Sequence, residues 1–365
     1  MRKIVGITEK HGIAQEYSKF PPDGYDYRFV DTKPNPYSKL FPSTAKRFFY
    51  TAEDDGVDLV EAPIFPAHTH KPWIYTPAEF SGTANFSFLH CPLPRKIKLK
   101  MIESVFKREN FKNIVFKSHA GLKTFNTYAG KVDADIQRKS RVVYPCVTPR
   151  ELRTNLKKDD FTILFVGDFF RKGGANVVDA FIELHKAHPY LHLKIIGNTE
   201  LDTNNQSLKQ EYQQKINSHN AITHTRVSRD ELLNDIYPTA DIFVSPTYQE
   251  TFGFAILEAM SFGLPVISTA HFAIPEIIDN KKDGILIDTE QFNFIREFRG
   301  YEVNNIPKEF SSYLTEKVYE NIDFLVRSEE ARGNLSLAAL RKVKTKFSPQ
   351  KRADDMKQLY DNALS

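Results

Sequence analysis

Two carboxylates, Glu250 and Glu258, flank the start of a short apolar run and make it the most chemically informative stretch of this 365-residue chain. The run, 254–262, carries Phe254, Ile256, Leu257 and Met260, and reads as a helix that Gly263 ends and Pro265 keeps from continuing. Apolar strands are expected before it at 242–244 and after it at 266–268, so strand, loop, helix and strand form one parallel crossover unit. Ligands of such sheets sit beyond the strand C-termini, where Thr247 to Gly253 lie, and Thr251, Phe252, Gly253 and Phe254 are the candidates here for binding the ligand. The helix start offers free N–H groups and a positive dipole to an anion such as a diphosphate, and Gly253 allows close approach to the backbone. Carboxylates repel phosphate. Glu250 and Glu258 are therefore read as acceptors from hydroxyl groups on either side of it, one on a hexose and one on a ribose, and the implied ligand is a nucleotide sugar. Taken alone, the same pair also fits a solvated turn and an exposed helix position.

A second loop of this kind lies upstream. A strand at 161–167 leads into Arg171, Lys172, Gly173 and Gly174, and then into a helix at 175–188 whose Val177, Val178, Phe181 and Leu184 share a face. A guanidinium fork beside a point ammonium suits a phosphate group, although two basic residues in a solvated loop would look the same. Further elements are expected at 193–197 (strand), 208–218 (helix), 222–227 (strand or turn) and 229–237 (helix).

The succession Ser245-Pro246, Glu250-Thr251-Phe252-Gly253, Leu257-Glu258-Ala259-Met260, Gly263-Leu264-Pro265-Val266-Ile267, Ile274-Pro275-Glu276-Ile277-Ile278 and Asp283-Gly284-Ile285-Leu286-Ile287 resembles the C-terminal domain of retaining glycosyltransferases of the GT-B fold, family four of the sequence-based classification. The resemblance implies an α/β protein of two Rossmann-like domains whose parallel sheets face each other across a cleft. The acceptor-side domain would span 1–149 and the nucleotide-sugar domain 150–346, with 347–365 a helix crossing back to the first. It further implies that Arg171 and Lys172 hold the donor diphosphate, Glu250 grips the donor sugar and Glu258 the ribose. The base would lie against backbone near Arg226 and Val227. The donor would be a UDP- or GDP-sugar, needing no further cofactor and no metal, and the leaving diphosphate would help deprotonate an acceptor hydroxyl attacking from the same face. A non-catalytic carbohydrate- or partner-binding relative, or another GT-B enzyme such as a nucleotide-sugar epimerase, stays open beside this reading. The chain departs from the family pattern in placing Asp168 where an Arg is frequent, Thr225 where a Gly is usual, and Phe272-Ala273 in place of a frequent Gly-Gly.

In the first half, strands are expected at 3–8, 57–62, 73–76, 113–116 and 141–144. Gly12 follows the first of them as a close-approach position, although the Gly-Gly of many relatives is absent there. Relatives often carry a His after a central strand; here Glu79 stands near that point and His119 is a second acceptor-side candidate, with His68, His70 and His90 as others. His68 and His70 lack a Cys or carboxylate partner at ligand spacing, so no metal is expected. Between Arg95 and Lys123 nine Lys or Arg face two Glu, and Ile97, Met101 and Val105, with Ile102 and Phe106, form a stripe at helical spacing. Such a helix either rests on an anionic membrane surface or packs its stripe into the domain.

A net charge of +4 without a nucleic-acid motif argues against nucleic acid as partner. Two Cys are too few for a disulfide framework. No signal region or spanning segment is evident, so a cytoplasmic protein is expected, with peripheral contact at the inner membrane surface as the alternative. A last amphipathic helix is expected in the tail, through Ala353, Met356, Leu359, Tyr360 and Ala363.

Overall fold

The computed structural model describes residues 1–40, 50–80, 87–88, 91–129, 133–151, 160–292 and 300–365. The chain divides into two compact units, 1–148 with 345–365 and 149–344.

The first unit is built on six parallel strands: β1 (Lys3–Ile7), β2 (Tyr25–Phe29), β5 (Leu59–Ala62), β6 (Trp73–Tyr75), β9 (Phe111–Phe116) and β10 (Ser140–Val142), in the order β10-β9-β6-β5-β1-β2. Two antiparallel pairs lie outside this sheet: β3 (Thr32–Pro34) with β4 (Tyr50–Ala52), and β7 (Ser87–Phe88) with β8 (Cys91–Pro92). Strands buried on both faces must be apolar throughout, and β5, buried along its whole length, fits except at Glu61. Helices α1 (Gly12–Tyr17), α2 (Arg95–Phe106) and α3 (His119–Ala129) follow β1, β8 and β9. The apolar stripe of α2 is spent on the core: Ile102, Val105 and Phe106 are buried, Phe106 packing against Trp73, Tyr75, Phe80 and Phe111. Ile97 alone of that stripe is exposed, alongside Lys96, Lys100 and Lys107.

The C-terminal helix, Pro349–Leu364, belongs to this first unit. Its Met356, Leu359, Tyr360 and Ala363 pack on Val5, Tyr25, Leu59, Ile74 and Val115. Ser348 caps it by accepting from the Lys351 N–H, and Pro349 occupies the first turn, where its missing N–H costs nothing.

The second unit repeats the plan with β11 (Phe161–Val166), β12 (Leu191–Ile196), β13 (Ile222–Thr225), β14 (Ile242–Ser245), β15 (Val266–Thr269) and β16 (Ile285–Ile287), all parallel, in the order β13-β12-β11-β14-β15-β16. Numbered within the unit this is 3-2-1-4-5-6, the dinucleotide-binding arrangement. Its order reverses between β11 and β14, so the loops after those strands border the crevice where such sheets take ligands. Helices α4 (Gly174–Ala187), α5 (Gln206–Asn217), α6 (Phe254–Ser261), α7 (Lys308–Arg327) and α8 (Glu329–Lys346) complete it. Phe310, Leu314, Val318, Ile322 and Leu325 of α7 join Val177, Val178, Phe181 and Leu184 of α4 in one core.

The segment expected as a helix at 229–237 is instead a single α-turn (Arg229–Glu231), a π-turn (Leu232–Ile236) and a 3-10 turn (Tyr237–Thr239). Pro238 accounts for the break: it has no N–H to donate to a carbonyl of the preceding turn. The wide π-turn delivers Tyr237 into the interior, where it is fully buried.

Candidate functional site

The loops after β11 and β14 meet where the sheet order reverses. Lys172 donates to the Glu250 carboxylate at 2.6 Å and to the Gln249 carbonyl at 3.0 Å, with both side chains only 13% exposed. Glu250 also accepts from the N–H groups of Thr251, at 2.8 Å, and Phe252, at 3.3 Å, so its carboxylate closes the turn that leads into α6. Burial acts to raise the Glu250 pKa, but the Lys172 charge and the two backbone N–H groups outweigh it and leave it below the ordinary carboxylate value. A depressed folded value means that the pair adds stability above the unfolded carboxylate range and loses it as pH falls through the depressed value. On acidification below about pH 4.5 the wild-type melting temperature should therefore fall more steeply than that of Glu250→Gln. Parallel curves would show that the pair carries no such linkage.

Arg171 is arranged differently. Its guanidinium pairs with Asp168 on the same loop, the Nε–Oδ2 distance being 2.9 Å, and both side chains are 40% exposed or more. Exposed pairs contribute roughly 0–1 kcal/mol, so Asp168 tethers Arg171 without locking it. The loop itself is fixed elsewhere. Phe169 and Phe170 are buried, and Asp202 accepts from the backbone N–H groups of Phe170, at 2.7 Å, and Arg171, at 3.0 Å. Gly173 takes φ +79°, and a Cβ there would sit 2.3 Å from the Pro246 carbonyl oxygen, so only glycine lets the two loops touch.

Gly253 caps α6 with φ +102°. Glu258, one turn further on, is 4% exposed; it forms an ion pair with Arg229 and accepts from the Tyr237 hydroxyl at 3.3 Å. Arg229 also lies over the Phe254 ring, its guanidinium carbon 5.4 Å from the centroid. Glu258 is thus a held, buried carboxylate rather than a surface helix residue.

Of the other residues singled out from sequence, Thr251 and Arg226 are exposed, Val227 and Phe254 are half-buried, and the Phe252 ring is in the core. Phe252 was expected to bind the donor; its side chain faces inward, which leaves only its backbone at the loop. In the first unit, Gly12 opens α1, Glu79 lies in the loop after β6, and exposed His119 opens α3, so all three stand at the C-terminal edge of the strands. His68 and His70 do not. They precede β6 and so lie at the opposite edge, where burial and then the Arg108 charge hold the His68 pKa down to about 4. His90 lies outside the described residues. Among the described residues no cluster of His, Cys, Asp and Glu has the makings of a metal site.

Sequence reasoning passed over Arg229, Tyr237, Asp202 and His271. His271, after β15, is 1% exposed; burial lowers its pKa to about 4, the Glu250 charge opposing and the Lys172 charge adding to that shift. Next to it Phe272 has φ +50°, in the left-handed region that favours glycine, at a position where the family pattern frequently has Gly. That departure was the visible signal for this loop.

Residues 150–297 match the family described as "Glycosyl transferases group 1". The whole chain superposes on HepE of Anabaena, solved in complex with UDP and glucose, with a TM-score of 0.64, 15% identity and 99% and 100% of the two chains covered. Sucrose-phosphate synthase of Thermosynechococcus elongatus superposes with a TM-score of 0.63, 14% identity and 99% of each chain covered. The fold is GT-B. In sequence, this GT-B chain is similar to a D-inositol 3-phosphate glycosyltransferase of Corynebacterium jeikeium, 30% identical over 128 residues, or 34% of this chain and 30% of that one. It is also similar to an uncharacterized 41.2 kDa protein in the cps region of Klebsiella pneumoniae, 28% identical over 185 residues, or 48% and 49%. The chain spans about half or less of the length of these relatives. The family match at 150–297 and the Lys172–Glu250 site both fall in the second unit, whereas the superpositions cover both units.

Proposed function

We propose that this protein transfers a sugar from a nucleotide-diphosphate donor to a hydroxyl acceptor, with retention of anomeric configuration and without a metal. One observation carries the reading: the Lys172–Glu250 pair sits at the order reversal of a 3-2-1-4-5-6 sheet, beside the N-terminus of α6. A donor diphosphate placed there would draw on Lys172 and on Arg171, once that guanidinium leaves Asp168. These two cations supply the charge that a divalent ion would otherwise bring. As the glycosidic C–O bond breaks, its electron pair stays on the diphosphate. That oxygen is the base that takes the proton of an acceptor hydroxyl arriving on the same face, and the new C–O bond completes transfer. Glu250, relieved of part of its contact with Lys172, would accept from hydroxyls of the donor sugar. Solved GT-B proteins that bind UDP or UDP-glucose support a uridine nucleotide as the first donor to try.

Incubation with a panel of UDP- and GDP-sugars, followed by chromatography of released nucleotide, tests this directly. Neither binding nor turnover with any donor would remove the enzyme reading and leave a carbohydrate- or partner-binding protein. With most of its apolar stripe buried, α2 leaves Ile97 and several lysines exposed, so any peripheral contact would be mainly electrostatic and would weaken at high salt.

Glu258 is assigned to the ribose hydroxyls. Glu258→Gln keeps the shape but loses the charge-assisted acceptor, and the affinity for UDP should fall about 10- to 100-fold by titration calorimetry. Unchanged affinity would show that Glu258 serves only to hold Arg229 and Tyr237.

A further inference from the structure

At the ligand edge of the first unit, among the described residues, a buried imidazole N–H has no acceptor and a largely buried lysine makes no hydrogen bond or ion pair. Lys117, directly after β9, is 8% exposed, and among the described residues its ammonium makes no hydrogen bond or ion pair. His11, in the loop after β1, uses Nδ1 to accept the Ala14 N–H at 3.1 Å, which assigns the ring proton to Nε2. That Nε2 is buried and has no partner. Lys117 lines the same small cavity as Ile13, two residues beyond His11, and its charge adds to burial in holding the His11 pKa down to about 4.

The neighbouring acids are already engaged. Glu9 accepts from the Thr8 hydroxyl at 2.7 Å and from the N–H groups of Ile64, at 3.2 Å, and Phe65, at 3.1 Å. Glu61 accepts from Arg352 and Thr76, each at 3.2 Å, and from Tyr360. Among the described residues Lys117 therefore has no contacting counter-charge. Burial pushes its pKa down to about 8, with the Glu61 charge as the largest opposing influence, so it is still largely protonated near neutral pH. A buried ammonium without a partner costs stability, and such costs concentrate at functional sites. The location agrees with this. In the order β10-β9-β6-β5-β1-β2 the chain reverses between β1 and β5, and Glu9, His11, Ile64 and Phe65 come from the loops after those two strands. The cavity that Lys117 lines with Ile13, Tyr17 and Arg352 is about 10 Å³, room for one water, so it does not itself hold a sugar.

We propose that Lys117 and His11 bind an anionic oxygen group, a carboxylate or a phosphate ester, carried by the sugar that this unit receives. That the ligand is an acceptor rests on the transfer reading above; the anion site itself does not. Ammonium and imidazole N–H donate to the group's oxygens, while the satisfied Glu9 carboxylate beside them favours a singly charged group over a doubly charged one.

The test is calorimetric titration of the full chain, without nucleotide donor, using sodium glucuronate, glucose 6-phosphate and neutral methyl glucoside. At least one anionic sugar should bind about tenfold or more tightly than the glucoside, and which one it is separates carboxylate from phosphate. Lys117→Met should abolish that preference while melting no lower than the wild type, because it removes a buried unpaired charge. Equal binding of all three sugars, or a preference that survives Lys117→Met, overturns the proposal. A chain that turns over nucleotide sugars yet shows no anion preference refutes this inference alone, and a Lys117-dependent preference in a chain without donor turnover refutes only the transfer reading.

Discussion

Lys172→Met should lower the turnover of the proposed transfer by about 10²- to 10³-fold while changing donor affinity far less, the signature of a donor whose partner gains charge only in the transition state. The ammonium already lies against Glu250 and the Gln249 carbonyl, so the side chain is held in place before any substrate arrives. A prepositioned cation loses little reorganisation energy as the glycosidic bond breaks onto the diphosphate. Lys172→Arg should rescue poorly, because a planar fork cannot keep both of those acceptors on one point charge. Arg171→Met provides the contrast: its guanidinium is tethered to Asp168 at an exposed position, and its loss should cost less. Lys172→Met also leaves Glu250 buried beside two N–H groups, so its melting curve must accompany the kinetics. If turnover by a folded Lys172→Met protein equals that of the wild type, the assignment of this loop to the diphosphate is wrong.

Much of this site was legible because its parts are local. Glycine at 253, the apolar run after it and Pro265 together fix a strand-loop-helix unit from short-range rules, and α6 and β15 appear within a residue or so of where those rules put them. What could not be read is pairing across the sheet. Lys172 and Glu250 are joined only because β11 and β14 are neighbours, and Glu258 meets Arg229 only because a π-turn swings that segment inward. Glu250 and Glu258 therefore looked free in the sequence and prove to be held.

The first unit was harder for a related reason. Strand β2, Tyr-Asp-Tyr-Arg-Phe, alternates aromatic and charged residues with the period of a half-buried edge strand, yet it was not anticipated because that signal spans only five residues. Helix α7 was also missed, although Phe310, Leu314, Val318 and Ile322 recur every fourth residue. His68 and His70 were misplaced because a histidine beside a strand gives no indication of which end it occupies. Glu61 carried the opposite signal: a carboxylate in an otherwise apolar strand requires a buried partner, and nothing nearby in sequence supplies one.

The partner is Arg352, and Arg352→Met should destabilise the first unit by about 3–5 kcal/mol. Glu61 is fully buried, and Arg352 is the only cation in contact with it among the described residues, with Nη2 3.2 Å from Oε1. The same guanidinium lies 3.5 Å from the Tyr17 ring centroid and donates to the Tyr27 hydroxyl at 3.3 Å, so one side chain ties the C-terminal helix to β2, β5 and α1. Its removal leaves the carboxylate with hydroxyl donors alone. Breaking one side of a buried pair costs more than never having had the pair, so Glu61→Leu with Arg352→Met should recover most of the loss. Against a typical domain stability of about 5–15 kcal/mol, the single change takes a large fraction. The chain's one tryptophan, Trp73, is 1% exposed in this unit and stacks on Phe106, so its fluorescence in a urea titration reports the first unit selectively. An unshifted tryptophan midpoint in Arg352→Met would mean that Tyr360 and Thr76 suffice to hold Glu61, and that the apolar face of the C-terminal helix, not its charge, fixes it to the sheet.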